Sequence, residues 1–353
     1  MNTVEYIGLD VHKKSISLCV KTISGEIVEE RRLKASRGEL ARWIQTRRLP
    51  WVAGLEATMF TAWIYDFLKP HALEVKVINP LLAEAITAGK RQNDGLDSRQ
   101  MADMLRVDWV PECYMPPPEI RDLRRVLRYR HLLMQEEVRF KNNTSSLLME
   151  RGVEYTPSRL HAERYFQTML CEIPRQLGPG SESLLGLLKM NRALVVMLGR
   201  MNRQLVKMLA RHPQLVERVK RLQSIPGVGP ILALTWALEI GEVKRFPSIN
   251  NAVSYCGLCS GESQSGERNY RMPISKQRNP YLQSVLVEVA HLAPKWNAQL
   301  KHVYDREFER GNSNRATLSV ARKLVAYLMA VDKSGKPFVP RVETTAGESS
   351  GRL

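Results

Sequence analysis

The sequence predicts an α/β domain followed by a mostly helical region. Short runs of β-forming residues alternate with amphipathic helical patterns over residues 1–115. The stiff segment Pro116-Pro117-Pro118 ends this pattern. Two long runs with apolar residues near 3.6 spacing then begin. We expect an α/β domain at 1–115, long basic helices forming a coiled coil at 116–222, a helical domain at 223–338 and a disordered tail at 339–353.

The composition favours a partner that carries many negative charges. Lys and Arg number 53 against 36 Asp and Glu, which gives a formal net charge of +17. Phosphate neutralisation by such residues supplies most of the nonspecific affinity for nucleic acid. No apolar run approaches the length of a membrane span, so we expect no membrane partner. Five scattered cysteines indicate a reducing cytoplasm without disulfides, and in a bacterium we expect association with the nucleoid.

The order of the elements in the first domain is β-β-β-α-β-α-β-α, which is the order of an RNase H-like fold. Its sheet would be mixed, with the first three strands forming an antiparallel meander. Proline and glycine punctuation separates the elements. The predicted strands are Ile7–Asp10, Ser15–Lys21, Glu26–Leu33, Trp51–Leu55 and Glu74–Ile78; the predicted helices are Arg37–Arg47, a helix through Trp63 and Leu68, Pro80–Gly89 and Leu96–Val107.

Acidic residues follow the predicted strands at positions where they could meet. Asp10 ends the first strand and Glu56 follows the fourth, while Asp94 and Asp97 open the last helix three residues apart. Four carboxylates at one edge of a sheet would repel one another, so such a cluster indicates bound divalent metal. For Asp94 and Asp97 alone, capping and the helix dipole are the alternative explanation.

The second region opens with a helix, Glu119–Arg151, that is rich in arginine. Its basic residues could contact phosphate, or they could form a solvated face that pairs with neighbouring acids. The residues in question are Arg121, Arg124, Arg125, Arg128, Arg130 and Lys141. Residues 153–180 are expected to be irregular, and Glu182–Val219 to form a second long helix. The two helices would pack antiparallel, within one chain or against another subunit.

Two further segments of the second region suggest chemistry. Ile225-Pro226-Gly227-Val228-Gly229-Pro230 is typical of a helix-hairpin-helix turn, whose backbone N–H groups approach a phosphate through Gly227 and Gly229. A loop without periodicity follows at 257–276 and contains Ser260, Ser263 and Ser265. No His or Lys base accompanies these serines in the sequence, so the residues alone identify none as a nucleophile. Cys256 and Cys259 form half of a possible zinc site, but no second ligand pair follows.

Four segments, IGLDVHKK, GLEAT, VINP and NDGLDSRQMA, resemble in order and spacing the RuvC-like domain of the DEDD transposases of insertion sequences, which are related to the Piv DNA invertase. The chain departs from the usual family pattern at Met59, Asn93, Ser98 and Ser260, and none of these replaces a carboxylate.

The resemblance implies a site and partners. Asp10, Glu56, Asp94 and Asp97 would bind Mg²⁺ or Mn²⁺. Ser265, with Ser263 as the alternative, would form a covalent phosphoserine during strand exchange. Arg268, Arg271, Lys276 and Arg278 would be the basic residues that follow this serine. The expected partners are donor and target DNA, an element-encoded guide (bridge) RNA and further copies of the chain, in a dimer or a tetramer.

Three other functions are compatible with parts of the pattern. A RuvC-like junction endonuclease would keep the four acids and the basic helix but would not need the serine loop. An actin-like ATPase or sugar kinase also opens with a strand ending in Gly-x-Asp, but it requires Gly-rich phosphate loops that the second half lacks. A noncatalytic nucleic-acid binder would tolerate Asp10→Asn and Glu56→Gln.

Overall fold

The computed structural model describes residues 4–86, 94–265, 268–274 and 277–340. For residues 84–86, 94–97, 261–265 and 268–273 it describes the backbone alone. The chain divides into two compact units, Met1–Met115 and Pro116–Leu353. The predicted long helices at 116–222 and the predicted domain at 223–338 lie in the same unit, and their separation into two domains stays a prediction.

Unit 1 is an α/β domain with one five-stranded sheet. The strand order is β3-β2-β1-β4-β5. Strand β2 runs antiparallel to both β1 and β3, and β4 and β5 run parallel to β1. This mixed sheet is compatible with an RNase H-like domain. Its elements are β1 (Glu5–Val11), β2 (Ser15–Lys21), β3 (Ile27–Lys34), α1 (Arg37–Ile44), β4 (Trp51–Glu56), α2 (Thr61–Leu68), β5 (Glu74–Ile78), α3 (Pro80–Ile86) and α4 (Asp94–Arg106).

The two faces of the sheet follow the alternation of side chains along β1 and β4. Ile7, Leu9 and Val11 pack with Leu40 and Trp43 of α1 and with Ile64 and Leu68 of α2 in one buried core. The residues between them, Gly8 and Asp10, therefore face the opposite side. Helix α4 covers this opposite side, where it packs on β1, β2 and β4.

Unit 2 is helical apart from a two-stranded hairpin. Its helices are α5 (Pro118–Glu150), α6 (Glu163–Leu177), α7 (Glu182–Ala210), α8 (Pro213–Leu222), α9 (Pro230–Ile240), α10 (Ile249–Tyr255), α11 (Pro280–Leu292), α12 (Ala298–Glu309) and α13 (Ser313–Ser334). The hairpin strands are β6 (Ser260–Ser265) and β7 (Arg268–Ile274). Helix α9 is buried along its whole length except at Pro230 and Ile231, and it forms the centre of the core of this unit.

Helices α5 and α7 form the antiparallel pair that their periodicity predicts. Arg130 donates to Asn202 Oδ1 at 2.6 Å, and Asn191 donates to Asn143 Oδ1 at 2.8 Å. As the residue number rises along α5 it falls along α7, so the two helices run in opposite directions. Among the described residues, no helix is both long enough and apolar enough to cross a membrane.

Three predictions about secondary structure in unit 2 are wrong. The segment expected to be irregular contains α6, with Pro174 inside its last turn. The second long helix does not continue to Val219, because Pro213 starts a separate helix after a break at Arg211 and His212. The serine loop is largely the β6–β7 hairpin, with Ser260 opposite Ile274.

Candidate active site

Asp10 and Glu56 lie side by side on the face of the sheet that α4 covers. Strands β1 and β4 are parallel, and their register pairs Gly8 with Gly54 and Leu9 with Leu55. The next positions along this register are Asp10 and Glu56, so their Cα atoms are separated by about one inter-strand spacing, ~4.8 Å. Asp10 is 5% exposed and Glu56 is half-buried. Their side chains thereby project from adjacent strands on one partly dehydrated face of the sheet.

The turn after Glu56 is fixed by hydrogen bonds. The Thr61 hydroxyl donates to the Glu56 carbonyl oxygen at 2.6 Å and accepts from the Thr58 backbone N–H at 2.7 Å. The Ala57 N–H donates to the Ile78 carbonyl oxygen of β5 at 3.0 Å. These bonds fix the backbone at the carboxyl end of β4, and the backbone of Glu56 is therefore held in one position.

Glycine at position 8 lets α4 lie directly on β1. A Cβ atom added to Gly8 would lie 2.0 Å from the Ser98 carbonyl oxygen and 2.7 Å from the Ala102 nitrogen. Farther along the helix, Asp103 accepts from Lys21, which is paired with Tyr6 near the start of β1. Helix α4 therefore runs antiparallel to β1, and its N-terminus points toward the end of the strand where Asp10 lies.

The axial rise per residue of helix α4 and of strand β1 shows how far the first turn of α4 lies along the strand. From Ser98 back to Asp94 is about 6 Å along a helix, and from Gly8 forward to Asp10 is about 6.6 Å along a strand. The backbone of Asp94 therefore lies near the level of Asp10, while Asp97, one residue before Ser98, lies only about 1.5 Å beyond the level of Ser98. The side chains of both residues fall outside the described residues. Within the described part of the chain, no group of three His, Cys, Asp or Glu side chains is placed to hold a metal ion.

His12 is a neighbour of Asp10 that the sequence analysis assigned no role. Its Nε2 lies 3.0 Å from Asp10 Oδ2, and its side chain is half exposed. His12 directly follows β1, which ends at Val11, and its i, i+2 spacing from Asp10 is the sequence signal that could have identified the contact.

The candidate serines lie on the β6–β7 hairpin of unit 2. Ser265 is the register partner of Arg268, and Ser263 is the partner of Tyr270. Ser265 therefore lies next to the hairpin turn, whose residues 266 and 267 are outside the described part. The side chains of Ser263, Ser265, Arg268 and Arg271, and the whole of Lys276, are likewise outside it.

A buried carboxylate connects the arginine-rich helix to the base of this hairpin. Glu239 of α9 is completely buried, and Arg128 of α5 donates to both of its oxygens at 2.8 and 2.9 Å. Asn279 Nδ2, buried at the N-cap of α11, donates to Glu239 Oε2 at 2.9 Å. The hydrogen bond to Glu239 raises the pKa of Arg128. This network joins α5, α9 and α11, and no periodicity or motif in the sequence predicts it.

Comparison with known proteins identifies the family. Residues 7–151 match the model of the IS110-type DEDD transposases, described as a transposase. Residues 219–305 match the model described as the transposase IS116/IS110/IS902 family. The chain belongs to the DEDD transposases of insertion sequences. The family resemblance seen in the sequence is thereby confirmed.

Two relatives cover nearly the whole chain of this transposase. The transposase for insertion sequence element IS1111A of Coxiella burnetii is 22% identical over 94% of this chain and 90% of its own length. The transposase for insertion sequence element IS1328 of Yersinia enterocolitica is 23% identical over 96% of this chain and 99% of its own length. The similarity therefore spans both units.

The structure places the predicted basic residues of α5 in different environments. Arg121 and Arg130 are buried, and burial lowers the pKa of Arg130. Arg124 is mostly buried and donates to the Leu238 carbonyl oxygen at 2.9 Å. Arg124, Arg128 and Arg130 donate hydrogen bonds within the unit, and phosphate contact by any residue of this set stays a prediction.

The other predicted basic residues are accessible or lie outside the described part. Arg125 is 70% exposed and pairs with Asp122 one helical turn away, and Lys141 pairs with Glu137. Arg278 is exposed beside Gly257. Of the predicted α5 set, Arg125 and Lys141 keep an orientation that a phosphate could reach, which leaves phosphate contact by them a prediction.

The predicted glycine turn joins α8 to α9. Gly227 has a φ of +93°, which favours glycine, and a Cβ there would lie 3.0 Å from the Ala293 Cβ. Gly229 is the N-cap of α9 and has an ordinary φ of −84°. Only the first glycine is thus required by backbone conformation.

The Cys256/Cys259 pair belongs to the hydrophobic core of unit 2. Cys256 is completely buried, and burial raises the pKa of its thiol to about 12. A protonated thiol in apolar surroundings is a poor metal ligand, since zinc binds the thiolate.

Arg128→Met should destabilise unit 2 by about 3 kcal/mol, because the Glu239 carboxylate would stay buried without its bidentate partner. The value is at the lower end of the usual range because Asn279 continues to donate to Glu239 and Arg124 Nε lies 3.7 Å away. Urea unfolding monitored by circular dichroism measures the change.

The matched control for this variant is Arg125→Met on the same helix. Arg125 is exposed and pairs with the likewise exposed Asp122, so the free energy of unfolding should change by no more than about 0.5 kcal/mol. Equal effects of the two substitutions would show that the Glu239 network does not stabilise the unit.

Proposed function

We propose that this transposase cleaves and rejoins the DNA strands of an insertion sequence, with a metal site at Asp10, Glu56, Asp94 and Asp97 and with Ser265 as the nucleophile. The observation that carries the proposal is the placement of Asp10 and Glu56 on adjacent parallel strands, facing the helix that begins at Asp94. In this reading unit 1 is a RuvC-like domain, and the α8–α9 turn is a helix-hairpin-helix.

The residues present fit a hard divalent cation. All four candidate ligands are carboxylates, and Mg²⁺ and Mn²⁺ prefer such oxygen donors. Asp10 is nearly buried beside Glu56, and a positive ion between them would offset their repulsion. When bound, Mg²⁺ or Mn²⁺ would supply charge stabilisation at the scissile phosphate. The half-exposed His12 imidazole beside Asp10 would orient that carboxylate.

The serine would conserve the energy of the broken bond. The Ser265 Oγ would form a bond to phosphorus as one phosphodiester P–O bond breaks, and the proton of the hydroxyl would end on the departing DNA oxygen. Attack by a DNA hydroxyl on the phosphoserine reverses these changes and rejoins the strand. The position of Ser265 beside the hairpin turn supports this role, because a turn can approach a DNA backbone closely.

Sequence selection would come from an element-encoded guide RNA that pairs with donor and target DNA, while the protein contacts backbone and shape. The net charge of +17 supports contact with several nucleic-acid strands. We further propose that the chain acts as a homo-oligomer, a dimer or a tetramer. The second candidate function is a RuvC-like junction endonuclease, which the same carboxylate pair would support.

Ser265→Ala separates these two functions. For the recombinase, we expect loss of strand exchange and of the covalent protein–DNA adduct, which denaturing electrophoresis of a labelled DNA substrate detects. Ser263→Ala, on the same strand, is the matched control and should retain both. Strand exchange by Ser265→Ala at the wild-type rate would rule out this nucleophile, and metal-dependent cleavage without any adduct in the wild type would favour the endonuclease.

A further inference from the structure

Helices α12 and α13 and residues 337–339 enclose a cleft that the proposed function does not use. Its volume is about 730 Å³, within the ~300–1,000 Å³ range of sites for small organic ligands. Lys323 and Tyr327 of α13 and Phe338 of the following segment lie outside both family-matched segments. Family membership therefore assigns these residues no role.

The lining of the cleft combines aromatic rings with positive charge. The rings of Tyr327 and Phe338 pack at 4.8 Å with an interplanar angle of 55°. The Lys323 ammonium lies 5.3 Å from the centre of the Tyr327 ring. Arg306 and Lys323 are both exposed at the rim with His302, and among the described residues no acidic side chain lines the cleft. An anion with a flat apolar portion is complementary to this surface.

A hydrogen bond holds the Tyr327 ring in one orientation. The Tyr327 hydroxyl donates to Gln299 Oε1 at 2.7 Å, and burial raises the pKa of this phenol. The phenol is therefore protonated at neutral pH and keeps its hydrogen bond. Because Gln299 lies on α12, this bond also fixes the separation of the two helices that form the cleft.

Hydrogen bonds tie two walls of the cleft to the α8–α9 turn. The Phe338 backbone N–H donates to Ser224 Oγ at 2.7 Å. Asn297, the N-cap of α12, donates to the Pro226 carbonyl oxygen at 3.4 Å. The cleft and the turn containing Gly227 are therefore neighbours on one rigid surface.

We propose that this cleft binds an unpaired nucleotide of a single-stranded nucleic acid, with the base against Tyr327 and Phe338 and the adjacent phosphate near Arg306 and Lys323. The inference rests on the proposed function only in taking nucleic acid as the partner. Duplex DNA does not fit, because its bases are stacked and paired and cannot enter a cleft singly. The chain's own tail is less complementary, since residues 341–353 contain no aromatic residue and balance Glu343 and Glu348 with Arg341 and Arg352.

The test measures binding of fluorescein-labelled 15-mer oligo(dT) and oligo(U) to the full chain by fluorescence anisotropy at fixed salt. Arg306→Glu/Lys323→Glu should raise the Kd for at least one of the two probes tenfold or more. The control is Lys301→Glu/Arg310→Glu, which changes the net charge equally on exposed residues outside the cleft and should raise the Kd less than threefold. The probe whose Kd rises in the cleft variant identifies the bound nucleic acid as DNA or RNA.

Photocross-linking with 5-iodouracil in the responding probe locates the base. Adducts on a peptide that contains Tyr327 or Phe338 support the proposal. Adducts confined to other peptides, or equal weakening by the two double variants, overturn it.

The two proposals fail separately in these experiments. Strand exchange by Asp10→Asn tests the proposed active site, and probe binding by Arg306→Glu/Lys323→Glu tests the cleft, which Asp10 does not line. If Asp10→Asn keeps strand exchange while the cleft variant loses binding, the proposed active site is wrong and the cleft stands. If Asp10→Asn loses strand exchange and the cleft variant binds the probes normally, the cleft proposal is wrong and the proposed active site stands.

Discussion

Asp10→Asn is expected to lower the rate of strand cleavage and rejoining at least ~1,000-fold, which corresponds to about 4 kcal/mol of lost transition-state stabilisation. The amide keeps the shape of the side chain but removes the charge that would hold a divalent cation beside Glu56. Because two adjacent carboxylates repel each other without metal, the metal-free variant should unfold at the same temperature as the wild type or at a higher one. Single-turnover assays in Mg²⁺ and thermal unfolding in EDTA measure the two effects.

Asp108→Asn is the control for this variant in the same unit. Asp108 is exposed, pairs with Lys76 and has a φ of +51°, a conformation that asparagine adopts readily. Its activity should stay within twofold of the wild type. Retention of full activity by Asp10→Asn would support a noncatalytic role for the site, as expected for a protein that only binds nucleic acid.

Gly8→Ala is expected to reduce stability and activity together, because the added methyl group would lie 2.0 Å from the Ser98 carbonyl oxygen. Backbone cannot move as a flexible side chain does, so α4 must shift away from β1. Overpacking of this kind costs about 3 kcal/mol. A displacement of about 1 Å in the first turn of α4 should also reduce strand cleavage ~100-fold. Urea unfolding and single-turnover cleavage measure these changes.

Gly38→Ala is the matched control within unit 1. No atom lies within 4 Å of a Cβ built at Gly38, which is in the first turn of α1. Alanine there should stabilise the unit by up to about 1 kcal/mol, since it favours helix. If Gly8→Ala were as stable and as active as Gly38→Ala, α4 would not lie on β1 as described.

Most of unit 1 could be predicted because its sequence signals are local. The alternation of Ile7, Gly8, Leu9 and Asp10, and the turn chemistry around the strands, determine which residues form the sheet and which face they occupy. β2 and β5 have the predicted bounds, Ser15–Lys21 and Glu74–Ile78. The position of Asp10 and Glu56 on adjacent strands follows from strand order alone.

Unit 2 was predicted less well because its details depend on contacts that are distant in sequence. The sequence predicts that Arg128 is solvated or binds phosphate, whereas in the structure it contacts Glu239 of α9. The polar residues of the β6–β7 hairpin show no alternation, so pairing rather than pattern makes them strands. In α6, Pro174 suggests a break, yet its position in the last turn is tolerated.

The central claim is that Asp10, Glu56, Asp94 and Asp97 together hold divalent ions, and anomalous scattering from crystals grown with Mn²⁺ tests it most directly. The account predicts an anomalous peak on the α4 side of the sheet, within coordination distance of the Asp10 and Glu56 carboxylates and of at least one carboxylate from the first turn of α4. A map with no peak there, or with the Asp94 and Asp97 carboxylates turned away from a peak bound only by Asp10, would contradict it.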